Sequence, residues 1–219
     1  MPGYVRALTL ITYALIVFFA SAAVMTSVSM APASANSGFV VGATGPGGGK
    51  IFYVATTPFA CGPNGNLMCT YLEAAPSSWN TGSDPTRTWA QSSPVNYQGT
   101  SVNNPTAIAT SIGRGYSNTR AIINQGSTDP ATSAAALADA YTVTVSGVVY
   151  DDWYLPSSSE LYAMWLQRDI LGMKNSVAID GADRYWSSTE AGSGSAWHQS
   201  IWGVGDQSGS VERRKSSSL

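Results

Sequence analysis

The sequence predicts a loop-rich globular domain that mixes strands with helices, carried behind an N-terminal export segment. Three observations predict it. Strand-like apolar runs near residues 50–76 and beyond Tyr141 alternate with helical patterns. Gly, Ser, Thr and Asn are abundant between those runs, as turns require. Aromatic residues make up 11% of the chain, more than a disordered segment carries.

The export segment comes first. Arg6 is the first charge and Lys50 the next, and between them runs "ALTLITYALIVFFASAAVMTSVSMAPASANS". A basic start, an apolar stretch and small residues before a cut read as a secretory signal. Ala33-Ser34-Ala35 is the best A-x-A site, so residues 1–35 read as signal peptide, with cleavage before Asn36. The rival is an uncleaved anchor, because Ala7–Val28 offers about 20 apolar residues, enough to span a bilayer. In that case alone would the chain touch a membrane, through the segment itself. Residues 36–219 then form one domain.

"GATGPGGGKIFYV", Gly42–Val54, invites a phosphate-binding reading and fails it. A P-loop needs Gly six residues before its Lys and Ser or Thr after it, and here those places hold Thr44 and Ile51. The dinucleotide pattern fails as well, since Lys50 stands where the third glycine belongs. A hairpin turn between "FVVG" and "KIFYVA" is expected instead, with Gly47, Gly48 or Gly49 at positive φ.

Cys61 and Cys69 enclose a Gly-Pro-Asn-Gly turn, and export favours a disulfide between them. "GGKIFYVA" and "MCTYLEAAP" read as early strands, the second ending at Pro76. A polar loop over 77–104 carries Trp79, Trp89 and Tyr97, which suits a loop packed down by its own rings or a functional one. "SNTRAIINQ" reads as a short helix entered at Ser117. "DPATSAAALADAY" reads as another, with Asp129 as N-cap and Pro130 at the first helical position. "TVTVSGVVYDDWYLP" alternates like a hairpin around Ser146-Gly147. In "PSSSELYAMWL", Ser157 and Glu160 form a capping box, and Leu161, Met164 and Trp165 a core stripe. "RYWSST" and "SAWHQSIWGV" are the last strands. In the second, Trp197, Gln199 and Ile201 face one way and His198, Ser200 and Trp202 the other.

These segments, in this order, resemble a known family. "DDWYLPSSSEL" is similar to its WxLPTxxEL signature, "RYWSSTE" to its YWSST strand and "AWHQSIWGVG" to its AWxxxFxxG strand. "GPGGGKIFYV", "YLEAAP", "IGRGYSNTRAIINQ" and "AAALADAY" resemble a recurrent subtype. The family is the Lcl C-terminal domain family, named for the adhesive end of a bacterial collagen-like surface protein. The resemblance implies an α+β, C-type-lectin-like fold, with two or three helices around a small twisted antiparallel sheet. It also implies kinship with formylglycine-generating enzymes and retroelement-diversified binding proteins. Members usually end in a further strand beside YWSST, so this domain is expected to lack its last strand. Ile201 stands where the family often has Phe.

Composition narrows the chemistry open to the chain. Charged residues are 11% of the chain and the formal net charge is −2, which argues against nucleic acid. A hydrolase could use His198, the single histidine, with Asp180, Asp183, Glu190 or Asp206 nearby, yet no G-x-S-x-G elbow appears. The cysteine pair sits in a turn far from where a formylglycine-generating site would need it. Asp151-Asp152 could hold calcium, but a turn before Trp153 is the simpler expectation. No metal and no cofactor is expected.

A binding surface suits the residues better than catalysis. "HQSIWGVGDQSGSVERRK" gathers His198, Ser200, Trp202, Asp206, Gln207, Arg213 and Arg214 into one strand–loop segment. Rings stack on an apolar face while polar groups fix orientation, as recognition of a glycan or protein epitope needs. Trp153, Leu155, Trp186, Trp197 and Ile201 are expected in the core. The expected function is therefore an exported recognition or adhesion module for an extracellular glycan or protein. The alternatives are a secreted hydrolase using His198 and a structural envelope domain without ligand.

Overall fold

The computed structural model of the protein describes residues 5–6, 38–82, 84–90, 110–173, 184–192, 195–200 and 211–214. Strand β1 (Val5–Arg6) is followed by the longest hairpin, β2 (Lys50–Cys61) and β3 (Leu67–Ala74). The antiparallel pairing runs from Lys50 opposite Ala74 to Cys61 opposite Leu67, interrupted by a bulge between Val54 and Phe59. Pro58 lies in that bulge, where its missing N–H costs no ladder bond. The expected disulfide joins Cys61 to Cys69 at a Cα separation of 6.0 Å. β1 pairs with the other edge of β3, Val5 opposite Ala74. The rest of the expected export segment lies outside the described residues, and among those described no helix is long and apolar enough to cross a membrane.

Helix α1 (Gly115–Asn124) begins two residues before the expected entry, and the Ser117 hydroxyl donates to the Arg114 carbonyl. Helix α2 (Ala134–Asp139) corrects the expected cap. Ser133, not Asp129, is its N-cap, accepting from the Ala136 N–H at 3.2 Å. Asp129 instead closes its own turn, accepting from the Ala131 N–H. Strand-like pairing explains the shift, because Thr88 N donates to Thr132 O and Ala134 N donates to Thr88 O. That bridge holds Ser133 extended, at φ −103° and ψ 127°, and the helix starts at the next residue, Ala134.

Strands β4 (Val143–Val145) and β5 (Val148–Tyr150) form the expected hairpin around Ser146-Gly147. Both turn residues have positive φ, 52° and 82°, the pair of left-handed conformations that match strand twist. Helix α3 (Ser158–Leu166) carries the complete capping box, and the short α4 (Arg168–Leu171) ends at Gly172. Strands β6 (Arg184–Gly192), β7 (Ser195–Ser200) and β8 (Val211–Arg214) make a second three-stranded antiparallel sheet with β7 in the middle. Small antiparallel sheets and a few helices make the fold α+β. One apolar cluster joins both sheets and the helices: Phe52, Leu72, Trp89, Trp153, Leu155, Leu161, Met164 and Trp186 belong to it.

Candidate functional site

The sheet that carries the candidate segment is tied down by aromatic donors. Trp79 Nε1 donates to Asp84 Oδ1 at 3.0 Å, and the Tyr185 hydroxyl reaches Asp84 Oδ2 at 3.3 Å. Trp186 Nε1 donates to the Arg87 carbonyl at 3.1 Å and Trp89 Nε1 to the Ser187 carbonyl at 2.8 Å. The long aromatic loop is thus packed down by its own rings over 77–90, with its remainder outside the described residues. Each ring buries apolar area and spends its one polar atom on a partner.

On β7 burial does not follow strict alternation. Ala196 and His198 are buried, while Trp197, expected in the core, is only half-buried. His198 stands opposite Trp186 in the ladder, and the two rings meet edge to face at 6.0 Å. Gln199 is buried too, its Nε2 donating to the Ser200 carbonyl, while Ser195 and Ser200 are half-buried. The Ser187 hydroxyl donates to the Trp197 carbonyl at 2.9 Å, fixing the backbone beneath the ring.

The other candidate residues divide in two. Arg213 stands opposite Ala196, Arg214 opposite Ser195 and Glu212 opposite Trp197 in the β7–β8 register. β8 was not expected as a strand. Trp202, Asp206, Gln207 and the expected core residue Ile201 lie outside the described residues.

The glycine loop does cradle a carboxyl group, and that group is the protein's own. Gly47 N donates to Glu73 Oε2 at 3.1 Å and Gly49 N to Glu73 Oε1 at 2.6 Å, with Glu73 fully buried. Gly48 takes the expected positive φ, 81°. A side chain at Gly45 would strike the Glu73 carboxyl, and one at Gly49 the Ala74 carbonyl. The loop therefore needs glycine for close approach to β3.

Glu160 is a second buried carboxylate held by amides. Gly113 N donates to its Oε1 and Ser157 N to its Oε2, both at 2.7 Å. Burial pushes this carboxyl up to about 7, against the pull of those amide donors. The neighbouring Tyr154 phenol is also pushed up, by burial first and then by the Glu160 charge. Sequence reasoning found the Ser157–Glu160 spacing but not the reach to Gly113, and nothing in "YLEAAP" marked Glu73 as the loop's anchor. Among the described residues no group of three His, Cys, Asp or Glu could hold a metal ion. Comparison with protein-family models, curated proteins and solved structures finds no match.

Proposed function

We propose that the chain is an exported recognition module, a C-type-lectin-like domain of the Lcl C-terminal kind, that binds a glycan or protein epitope on its β7–β8 hairpin. The observation that carries this reading is the half-exposed Trp197. It stands on the middle strand of a sheet whose backbone is held by Trp89, Trp186 and Ser187. Ser195 and Ser200 are half-buried on the same strand, and Glu212 and Arg214 are register neighbours of Trp197 and Ser195. An indole on a rigid support supplies a stacking face, and hydroxyl and charged groups around it supply orientation. Trp202, Asp206, Gln207 and Arg213 stay in the proposal as the hairpin's further contacts. His198 acts differently in this reading, as the packing partner that holds the hairpin against Trp186.

The test is a glycan and glycosaminoglycan array, run with and without EDTA. Saturable binding is expected, reduced at least about tenfold in Trp197→Ala, the loss of one stacking contact of about 1.4 kcal/mol or more. Binding that survives both Trp197→Ala and Trp202→Ala would sink the reading of this surface. A blank array from folded protein would move the ligand to protein epitopes, and EDTA sensitivity would bring calcium back. Turnover of an ester or peptide substrate, lost in His198→Ala, would replace binding by hydrolysis.

A further inference from the structure

The loop that the disulfide closes carries a reactive dipeptide. Gly62, Pro63, Asn64 and Gly65 make a β-turn in which the Gly65 N–H donates to the Gly62 carbonyl at 3.2 Å. Proline in second place and glycine in fourth are what such a turn favours. Gly65 has φ 66°, and a side chain there would strike Arg114 Nη1. The fold therefore demands glycine at 65. Asn64 is in consequence the one asparagine of the chain that precedes a glycine. Its side chain is exposed, and no hydrogen bond among the described residues holds its amide.

Asparagine is a chemically labile residue, and glycine after it opens the way to a cyclisation that larger residues hinder. The Gly65 nitrogen, giving its proton to hydroxide, bonds to Asn64 Cγ. The Cγ–N bond of the side-chain amide breaks, and that nitrogen leaves as ammonia with a proton from water. The cyclic imide then takes up water. Opening at Cγ leaves aspartate, whereas opening at the Asn64 carbonyl carbon leaves isoaspartate, with the backbone routed through the side chain. No Cβ on residue 65 obstructs the attack, and the 3.2 Å turn bond that must open first is at the long end of N–H···O distances. Asn66 is the comparison that the chain itself provides, exposed on the same loop but followed by Leu67, whose side chain crowds the nitrogen. A cation stands beside the product carboxylate. Arg114, half-buried at the start of α1, lies against Gly65 and makes no ion pair among the described residues.

We propose that Asn64–Gly65 is a self-modification site: Asn64 deamidates through the imide, and the carboxylate formed pairs with Arg114, adding a charged tie between the disulfide-closed loop and α1. The proposal is independent of the β7–β8 ligand surface. It is tested on the intact, disulfide-bonded chain, held in mildly alkaline buffer made with oxygen-18 water and sampled over days by peptide mass spectrometry. The expected result is uptake of heavy oxygen at residue 64, with aspartate and isoaspartate both formed, while Asn66 and Asn124 stay unlabelled. In Asn64→Gln the labelled product should be lost. Asn64 left intact, or labelled no faster than Asn66, would overturn the proposal. The ion pair is read separately, with Asn64→Asp supplying the product's carboxylate. That substitution should raise the thermal unfolding midpoint slightly, as a partly exposed pair does, and the rise should be absent in an Arg114→Gln background. An equal shift in both backgrounds would overturn the pairing.

Discussion

Glu160 sits at the start of α3 with no exposure to solvent, and its amide partners come from Ser157 beside it and Gly113 across the fold. Its carboxyl is raised from 4.5 to about 7, so the folded protein holds a proton that the unfolded chain has already released in that window. The stabilising contribution of the protonated form is complete below about 4.5 and is lost as pH rises to about 7. It amounts to about 3 kcal/mol if the whole shift is realised. In Glu160→Gln this slope should vanish. The variant should cost about 1–3 kcal/mol at low pH, because its NH2 group faces a backbone N–H donor, and less at high pH. Urea unfolding of both proteins at intervals between pH 4 and pH 8 measures the difference; a constant difference across that range would contradict the assignment. Gly49 tests the other buried carboxylate. Gly49→Ala forces a methyl against the Ala74 carbonyl and opens the Glu73 cradle, so a loss of about 1–3 kcal/mol is expected on thermal unfolding.

Elements were legible where their signals were local. The Ser157–Glu160 box, the Ser146-Gly147 turn and the Cys61–Cys69 pair each depend on residues within a few positions of one another, and each formed. Two features departed from the local pattern. Thr88, about 45 residues from α2, pairs with Ser133, which is extended, and the cap falls on Ser133 rather than Asp129. On β7, alternation divided the residues into two rows, but burial breaks that alternation: Ala196 and His198 are buried, Trp197 is half-buried, and Gln199 from the row of Trp197 is buried too. A single sequence pattern carries neither fact. At this scale the disulfide gives a prediction. Closing so short a loop stabilises by about 2–3 kcal/mol in the chain-entropy model. Reduction, or Cys61→Ala with Cys69→Ala, should lower the unfolding free energy by that amount. Both cysteines are almost fully buried and already packed, so the fold should survive. A change below about 0.5 kcal/mol would mean that the bulged hairpin is already rigid without the bond.

Across the whole molecule, charge is sparse and nearly balanced, 11 Lys and Arg against 13 Asp and Glu. Such a chain generates little long-range field, so recognition on it must rest on contact rather than on steering. Two contact chemistries stand side by side on the β7–β8 hairpin. Trp197 offers a ring, and by register Arg214, opposite Ser195, shares its face, while Arg213 stands opposite buried Ala196 on the other face. Salt separates them, because screening shortens the range of an exposed charge and leaves stacking nearly untouched. If Trp197 carries the ligand, its dissociation constant should change by less than about threefold between about 50 and about 300 mM NaCl. Trp197→Ala should then weaken binding equally at both concentrations. If the arginines carry it, affinity should fall steeply with salt and Arg213→Ala with Arg214→Ala should remove the dependence, as for an acidic or sulfated polymer. Titration calorimetry at the two concentrations, on wild type and both variants, decides between them. A flat salt response with unchanged affinity in Trp197→Ala would leave neither chemistry standing and move the ligand off this hairpin.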